Sequence, residues 1–437
     1  MGDLKQLARR IFQDTLAAID IPRTMQRRLY REGAVLRCGE IAVDTRKFST
    51  FRVVALGKAA HAMLDGLRLC LPAGISFSGI ASSPAPPTRP IPGVQYFTGG
   101  HPIPNEDSWG AARAILEMLP GCDERTLVFF LVSGGGSALV ELPLERRFDL
   151  ANMQQVHRAL VNCGAPIDDI NAVRKHISAV KGGRLAQAAG RATKITLAVS
   201  DVPAGKESAL ASGPTLPDPS TWAQVKRVLD EYALREKLPD VVSRWIAEGG
   251  TPETPKAGNA AFHNAHFSLL LGLDGLFHPA HGAAEAVGCV TCCDNTTDDW
   301  PVERAAEYLL AQLEDLRRRN PSRRVAVIAD GEVSSPVTGN GIGGRNSAFV
   351  LSCVDKIAGQ RIAVLSAGTD GIDGNSPAAG AVADGETLAR AQAAGLNARD
   401  AFQRSDAFTF FRQLGEAVVI GPTGNNLRDL RILIAEP

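Results

Sequence analysis

Short apolar runs rich in β-branched residues alternate with longer stretches of helical periodicity along most of this 437-residue chain. The clearest strand-like runs each precede glycine or polar turn residues, and they lie at 51–56, 79–82, 94–97, 127–132 and 194–199. Helices are predicted between them over 107–118, with Asn105 or Asp107 as the N-cap, and over 150–161 after Asp149. This alternation predicts an α/β fold built from βα units on a mainly parallel sheet.

The length of the chain bears on the number of domains. A single hydrophobic core usually stops growing well below 437 residues, so two domains are expected. Breakers and polar residues concentrate in 249–255, and further strand-like runs follow at 324–329, 361–365 and 416–420. We therefore predict an N-terminal domain over 1–248 and a C-terminal α/β domain over 256–437.

Composition narrows the partners of the chain. The 47 basic residues balance the 47 acidic ones, so no overall charge favours nucleic acid or an anionic membrane. No apolar run approaches the roughly 20 residues of a membrane span, and the amphipathic start carries Asp3 and Asp14, unlike a targeting peptide. Eight cysteines are too sparse for a disulfide framework. These properties predict a cytoplasmic enzyme that binds small molecules, not nucleic acid or a membrane, with the oligomeric state left open, a homodimer included.

The segment 366–375, Ser-Ala-Gly-Thr-Asp-Gly-Ile-Asp-Gly-Asn, sets two acids on a glycine-rich turn directly after an apolar run. Strands of open α/β sheets present such polar groups at their carboxyl ends, where ligands bind. Asp370 and Asp373 are therefore candidates for proton or metal chemistry. The alternative is a turn in which each Asp only caps backbone amides.

A second glycine-rich turn follows the strongly apolar run 127–132. Its residues Ser133, Gly134, Gly135, Gly136 and Ser137 can bring backbone N–H groups and hydroxyls against an anion, which predicts a cradle for phosphate groups. The segment has neither the lysine of a P-loop nor the GxGxxG pattern. A tight strand-to-helix turn is the alternative.

Two groups of basic residues are candidates for binding an anion. Lys58 directly follows the first strand, where its ammonium can reach a bound anion. Lys175, His176 and Lys181 are spaced so that a helical turn would gather them, as contacts to substrate or phosphate or simply as a solvated basic face.

Further candidates lie at the end of the last N-terminal strand and in the second half. Asp201 follows the run 194–199 and is a candidate Mg²⁺ ligand or an N-cap. Arg345 and Asn346 end a glycine-rich loop over 338–346. A guanidinium suits a carboxylate or a transferring phosphoryl group, and Asn346 is predicted to contact substrate or phosphate. Since such loops recur in both halves, we predict an active site in a cleft between two domains that binds an anionic substrate.

A separate stretch is rich in zinc-type ligands, namely His263, His266, His278, His281, Cys289, Cys292 and Cys293. Its HxxH and CxxC spacings are compatible with a metal site. Ordinary core or surface histidines and buried cysteines are the alternative.

Taken together, the motifs resemble those of the glycerate 2-kinase family, whose members are sometimes labelled hydroxypyruvate reductase. The resemblance covers nearly the whole chain through LGKAA with Lys58, GGHPIPNEDS over 99–108, LVSGGGSAL, NAVRKHISAVKGGRLA from Asn171, SDV, ASGPTLPDP, GGRN with Arg345, and SAGTDGIDG. It implies a Rossmann-like N-terminal domain, a C-terminal MOFRL domain, and phosphorylation of the 2-hydroxyl of D-glycerate that depends on ATP and Mg²⁺. It singles out Lys58, Arg345 and Asp370 as catalytic, and with it we predict Asp201 and Asp373 as Mg²⁺ ligands.

The chain departs from the family at one loop. Family members commonly continue SDV with Pro-Gly-Asp-Asp, whereas this chain has Pro203, Ala204, Gly205 and Lys206, so a kinase of a related hydroxy acid is an alternative. An NAD(P)H-dependent hydroxypyruvate reductase is a rival, although the dinucleotide fingerprint is missing. A non-enzymatic sensor of small molecules or metal is the other rival.

Overall fold

The helices and strands belong to the part of the chain that the computed structural model describes, residues 4–72, 74–200, 202, 205–249, 253–272, 274–425 and 427–437. The α-helices there are α1 Leu4–Ala18, α2 Ile21–Arg28, α3 Ala60–Cys70, α4 Glu106–Met118, α5 Gly136–Leu139, α6 Leu150–Val161, α7 Ile167–Ile177, α8 Arg184–Ala188, α9 Trp222–Glu231, α10 Asp240–Ala247, α11 Asp274–Ala286, α12 Val302–Arg319, α13 Arg345–Val354, α14 Thr387–Ala393, α15 Ala398–Gln403 and α16 Ala407–Gln413. The strands there are β1 Leu29–Glu32, β2 Val35–Cys38, β3 Ile41–Asp44, β4 Thr50–Leu56, β5 Ser78–Ser83, β6 Val94–Thr98, β7 Thr126–Ser133, β8 Thr193–Val199, β9 Ala265–Leu271, β10 Val290–Cys293, β11 Val325–Asp330, β12 Ile362–Gly368, β13 Gly380–Asp384, β14 Ala417–Val418 and β15 Asp429–Ala435.

The chain forms two compact units. The N-terminal unit is Ile21–Gly272, and the C-terminal unit combines Met1–Asp20 with Leu273–Pro437. The N-terminal unit begins and ends later than the predicted domain 1–248, and the C-terminal unit includes residues 1–20 and resumes later than the start of the predicted domain 256–437. β9 extends the first sheet to Leu271, and α1 packs against α11, β12, β13 and β15 of the C-terminal unit.

The N-terminal unit is organised around a six-stranded sheet in the order β6-β5-β4-β7-β8-β9, with every neighbouring pair parallel. Counted from β4, this is the strand order 3-2-1-4-5-6 of doubly wound Rossmann folds. All eight residues of β7 are buried, as expected for a strand covered on both faces. The predicted Rossmann-like parallel sheet is confirmed.

Two predicted helices of this unit have the predicted starts. Asn105 caps α4 by accepting a hydrogen bond from the Ser108 amide at 2.9 Å. Asp149 caps α6 in the same way through the Asn152 amide at 2.7 Å. The side-chain oxygens satisfy amides that the first helical turn leaves unpaired, which fixes where each crossover helix begins.

The C-terminal unit contains a mixed six-stranded sheet in the order β10-β11-β15-β12-β13-β14. Only β10 and β11 pair in parallel among its described strands, and the other pairs are antiparallel. The expectation of a mainly parallel sheet is therefore wrong for this unit. The physical reason is that β15, from the end of the chain, inserts between β11 and β12 and runs opposite to both. The predicted C-terminal α/β domain is otherwise confirmed.

Among the described residues, no helix is both long and apolar enough to cross a bilayer.

Candidate active site

The central strands of the N-terminal sheet, β4 and β7, are followed by loops that are hydrogen-bonded to each other. The Lys58 amide donates to the Gly134 carbonyl at 2.9 Å, and the Ala59 amide donates to Ser133 Oγ at 3.0 Å. The strand order reverses between β4 and β7, because β5 and β6 lie to one side of them and β8 and β9 to the other. Ligands of open α/β sheets bind at the carboxyl ends of strands at this point. Lys58 and the Ser133–Ser137 turn therefore lie together where a ligand is expected.

The glycine turn brings Lys58 and His101 close to its backbone. Gly135 has a φ of 84°, and a Cβ there would lie 3.4 Å from Lys58 Cγ and 3.2 Å from His101 Cδ2. The left-handed backbone and the close approach both require glycine at this position. The structure thus places a lysine and a histidine side chain directly against the turn.

The two serines of the turn have different surroundings. Ser133 is fully buried, and its hydroxyl holds the Ala59 amide instead of facing outward. Ser137 is partly exposed, and its Oγ lies 2.8 Å from Ser212 Oγ. The following helix α5 has only four residues, so the turn is not the N-terminus of a long helix. The predicted phosphate cradle over Ser133–Ser137 stays a prediction.

Lys181 belongs to a buried network around Glu141, in the segment that follows this turn. Its ammonium is 2.5 Å from Glu141 Oε2, which also lies 3.0 Å from His157 Nε2, while Ser178 donates to Glu141 Oε1 at 2.6 Å. Lys181 and Glu141 are at most 1% exposed. Burial raises the pKa of Glu141, but the Lys181 ammonium and His157 outweigh it and lower that pKa to about 2. Lys181 is thus engaged within the protein, and its predicted contact with substrate stays a prediction.

Lys175 and His176 are also paired with acids. Lys175 donates to the buried carboxylate of Asp218 at 3.0 Å. His176 Nε2 lies 2.9 Å from Glu253 Oε2, and its Nδ1 lies 2.8 Å from the Ala172 carbonyl. These partners occupy both imidazole nitrogens, so the structure gives the predicted substrate contacts of these two residues no further support.

In the C-terminal unit, Arg345 is held by two carboxylates. Its Nε donates to Asp429 at 2.5 Å, and its Nη2 lies 2.7 Å from Glu332. Burial alone would lower the pKa of the Arg345 guanidinium, but Asp429 and Glu332 raise it above its ordinary value. The guanidinium is therefore always charged. The Arg345 side chain is still 38% exposed.

A cavity of about 300 Å³ lies beside this arginine. Its walls include Arg345 and Gly344 at the start of α13, together with the apolar side chains of Val302 and Phe402. A small ligand in this cavity would meet the guanidinium edge and an apolar surface at once.

Asp370 lies at the end of β12, as predicted. Its Oδ1 accepts a hydrogen bond from the Ile372 amide at 3.0 Å, which forms the expected Asx turn. A Cβ on Gly368 would lie 3.0 Å from this oxygen and 3.3 Å from Asp429 Oδ1. Asp370 and Asp429, the partner of Arg345, therefore both lie beside Gly368.

Asp373 serves a different purpose. Its two carboxylate oxygens accept from the amides of Asn346 and Ser347, each at 2.9 Å, and from Ser347 Oγ at 2.6 Å. Its side chain is 1% exposed, and burial raises the pKa of Asp373 although the hydrogen bonds from Ser347 and Asn346 oppose the shift. Asp373 thus caps the N-terminus of α13, which is the alternative that the sequence left open.

Asn346 lies next to this cap and is 1% exposed. Its Oδ1 accepts from Ser366 Oγ at 2.6 Å, which joins α13 to β12. The predicted contact of Asn346 with substrate stays a prediction.

The metal predictions have a limited outcome. Asp201 lies outside the described residues. Within the residues described, no group of three or more His, Cys, Asp and Glu side chains is arranged to hold a metal ion. This includes the stretch from His263 to Cys293, where Cys293 Sγ lies 3.5 Å from His281 Nδ1.

Comparisons with known proteins find two family domains in the chain. A domain family of unknown function (DUF4147) matches residues 7–247, and the MOFRL family matches residues 325–429. A D-glycerate 2-kinase of Thermotoga maritima is 33% identical over 383 residues, which is 87% of this chain and 89% of that protein. The chain belongs to the glycerate 2-kinase family. Its predicted membership is confirmed.

A solved structure and a relative with another name are also similar to the chain. A crystal structure of a Thermotoga maritima glycerate kinase aligns with a TM-score of 0.82 at 31% identity, covering 99% of both chains. A putative hydroxypyruvate reductase of Agrobacterium vitis is 34% identical, with 87% of this chain and 86% of that protein covered. The family thus includes proteins under both names.

Several residues at the two sites were missed by the sequence reasoning. His101 belongs to the family motif GGHPIPNEDS, but a histidine in a loop gave no separate signal. Asn171 and Ser212 are brought to the glycine turn by α7 and by the loop before Gly213, far apart in sequence. Asp429 begins β15, and its pairing with Arg345 depends on where the last strand inserts.

Proposed function

We propose that the protein is a glycerate 2-kinase that transfers the γ-phosphoryl group of ATP to the 2-hydroxyl of D-glycerate. The products are ADP and 2-phospho-D-glycerate. The observation that carries this proposal is the junction of Lys58 with the glycine turn at the point where the order of the parallel strands reverses. The names of the relatives that cover most of the chain agree with it.

The proposed roles follow from what phosphoryl transfer requires. The reaction depends on positioning and on neutralising charge, and the protein need not supply a nucleophile. We assign Lys58 and Arg345 as the cations that hold the substrate carboxylate and neutralise the transferring phosphoryl group. Asp370 orients the acceptor hydroxyl and takes its proton. The predicted location of the active site in a cleft stays a prediction.

Mg²⁺ accompanies ATP in such reactions and neutralises phosphate charge when it is bound. Asp373 does not fit this ion, because both its oxygens already accept hydrogen bonds from α13 and its side chain is buried. Asp201 stays a prediction as a magnesium ligand.

The residues that follow β4 argue against an NAD(P)H-dependent reductase. A sheet with this strand order binds dinucleotides when a GxGxxG turn follows its first strand. Here β4 is followed by Gly57, Lys58, Ala59 and Ala60. Aligned on Gly57, the pattern would need glycines where the chain has Ala59 and Ala62, so the close backbone approach to a pyrophosphate is not provided.

The decisive experiment measures both reactions on the same preparation. ADP release is followed with ATP, Mg²⁺ and D-glycerate, NADH consumption is followed with hydroxypyruvate, and NMR identifies the phosphorylated carbon. A panel of related hydroxy acids tests whether the Gly205–Lys206 loop, in which Lys206 pairs with Asp168 at 2.7 Å, has changed the preferred substrate. We expect ADP release and a 2-phosphate. Hydroxypyruvate reduction without ADP release would refute the kinase.

A matched pair of variants ties the activity to the site. Lys58→Met removes the cation at the glycine turn and should lower kcat/KM at least 100-fold. Lys237→Met removes an exposed lysine remote from the turn in sequence and should leave kcat/KM unchanged.

A further inference from the structure

A chain of three polar side chains leads from the interior of the N-terminal unit to the glycine turn. Ser137 Oγ lies 2.8 Å from Ser212 Oγ, and Ser212 Oγ lies 3.0 Å from Asn171 Oδ1. Ser212 and Asn171 are at most 3% exposed, whereas Ser137 is partly exposed. Ser137 is thus the outer end of this chain.

The direction of the hydrogen bonds follows from the inner end. The Asn171 Nδ2 atom lies 3.5 Å from the Ala209 carbonyl, and two oxygens facing each other there would repel, so the amide nitrogen faces Ala209. Asn171 Oδ1 therefore accepts, and Ser212 must donate its single hydroxyl proton to it. Ser212 Oγ in turn accepts from Ser137. The Ser137 proton points inward, and its outward side presents lone pairs.

The backbone around Ser212 fixes this arrangement. Ala211, Ser212 and Gly213 have φ values of 49°, 58° and 59°, three successive left-handed residues. The Ser212 and Gly213 carbonyls accept from the amides of Gly182 and Gly183 at 3.0 and 2.7 Å. Such a conformation costs free energy in non-glycine residues and persists only where the surroundings determine it. The Ser212 hydroxyl is therefore held in one place.

We propose that Ser137 accepts a hydrogen bond from a hydroxyl group of the hydroxy-acid substrate, and that Ser212 and Asn171 are its positioning residues. This rests on the proposed function and assigns the turn to the hydroxy acid instead of the phosphates of ATP. Phosphate oxygens are acceptors and need donors, so an outward lone pair opposes them. A substrate hydroxyl is a donor, and Lys58 beside Gly135 supplies the cation for the carboxylate of the same molecule.

The first test compares KM values of Ser137→Ala, Ser212→Ala and the double variant. Ser137→Ala should raise the KM for D-glycerate roughly fivefold, the size of one neutral hydrogen bond, with the KM for ATP within about twofold. Ser212→Ala should act in the same direction, and the double variant should match Ser137→Ala, because Ser212 acts through Ser137. Ser352→Ala, whose hydroxyl bonds within α13, is the matched control.

Three results would overturn the proposal. A raised KM for ATP with an unchanged KM for D-glycerate would make the turn a phosphate site. A changed dependence on Mg²⁺ concentration in Ser137→Ala would make the Ser137 oxygen a metal ligand. Additive effects of the two alanine substitutions would give Ser212 a structural role that does not pass through Ser137.

A binding experiment separates this inference from the kinase proposal. Calorimetry compares D-glycerate with propionate, which keeps the carboxylate but has no hydroxyl. The wild type should prefer D-glycerate, and Ser137→Ala should lose that preference, whether or not ADP is released. If Ser137→Ala still prefers D-glycerate over propionate, or if the wild type shows no preference between them, the role of Ser137 is refuted and the kinase proposal is unaffected. If no ADP is released, the kinase proposal is refuted and the role of Ser137 in binding is unaffected.

Discussion

Asp370 and Asp373 stand on one turn, yet their carboxylates have different surroundings. Asp373 is buried and is bound by Ser347 and the start of α13, whereas Asp370 is partly exposed and accepts from Ile372 in its own turn. The sequence DGxDG is symmetric in residue type and gives no reason to separate them. The family resemblance singles out Asp370, and the packing of α13 against the turn supplies the physical difference, because it makes Asp373 the cap.

Asp370→Asn tests this assignment. The asparagine oxygen can still accept from the Ile372 amide, so the turn is kept while the charge and the basicity are lost. We expect kcat to fall at least 100-fold, in the range for loss of a general base, with the melting temperature nearly unchanged. Steady-state ADP release and thermal denaturation measure the two quantities.

The control for this variant is Asp355→Asn, an exposed acid at the end of α13, which should leave kcat unaltered. A kcat for Asp370→Asn close to that of the wild type would remove Asp370 from the mechanism.

At the scale of elements, the sequence predicted strands and helices where local patterns were strong. β4, β7 and β8 begin and end within one residue of the predicted runs, because mostly apolar residues bounded by turn residues mark such strands. β15 was not among the predicted strands, although the run 432–435 within it is apolar, and the sequence gives no sign that Arg431 would be buried. That arginine is fully buried and donates to the Asp330 and Gly331 carbonyls, a solution that only the assembled sheet provides.

The junction of β4 and β7 depends on the absence of a side chain at Gly57. Its φ is 120°, and a Cβ there would lie 2.5 Å from the Ser133 carbonyl oxygen. Gly57→Ala should therefore force the two loops apart, destabilise the protein by about 2–3 kcal/mol and abolish activity. Urea denaturation and ADP release measure both effects.

Gly33→Ala is the matched control, because Gly33 also has a positive φ, of 62°, but its Cβ would meet nothing within 4 Å. It should cost about 1 kcal/mol through backbone strain alone and keep full activity. Equal losses in the two variants would contradict the clash.

The Glu141 network connects α6 with the segment after α7. Burial would raise the pKa of the Glu141 carboxylate, but Lys181 and His157 lower it from 4.5 to about 2. A pKa lower in the folded state means that Glu141 stabilises the fold above about pH 4.5 and that this contribution disappears as the pH falls toward 2. It amounts to about 3 kcal/mol. Urea denaturation between pH 2 and 5 should show this loss in the wild type.

The variant that removes this dependence is Glu141→Gln combined with Lys181→Met, since glutamine alone would leave a buried ammonium without its partner. Its free energy of unfolding should fall less steeply over this pH range than that of the wild type. Glu236→Gln, at an exposed site, should keep the wild-type slope. A double variant as steep as the wild type would refute the role of Glu141.

At the scale of the whole molecule, the order of the chain and the compact units do not coincide. The family matches over 7–247 and 325–429 divide the chain in sequence order, so that most of α1 falls in the first match. In the structure, α1 packs against strands of the C-terminal unit. Its apolar stripe includes Ala8, Ile11 and Phe12, and Lys5 pairs with Glu416 at 2.7 Å. An amphipathic helix can be read from the sequence, but the surface that its stripe covers cannot.

Phe12→Ala tests where α1 belongs. Phe12 is 1% exposed, so its truncation should cost about 3–5 kcal/mol. Because its helix packs on β12 and β15, hydrogen exchange should accelerate in those strands and stay unchanged in β4 and β7. Phe148→Ala, a truncation at a site 2% exposed in the N-terminal unit, should give the reverse pattern. Faster exchange in β4 and β7 alone after Phe12→Ala would place α1 with the N-terminal unit, where the order of the sequence would put it.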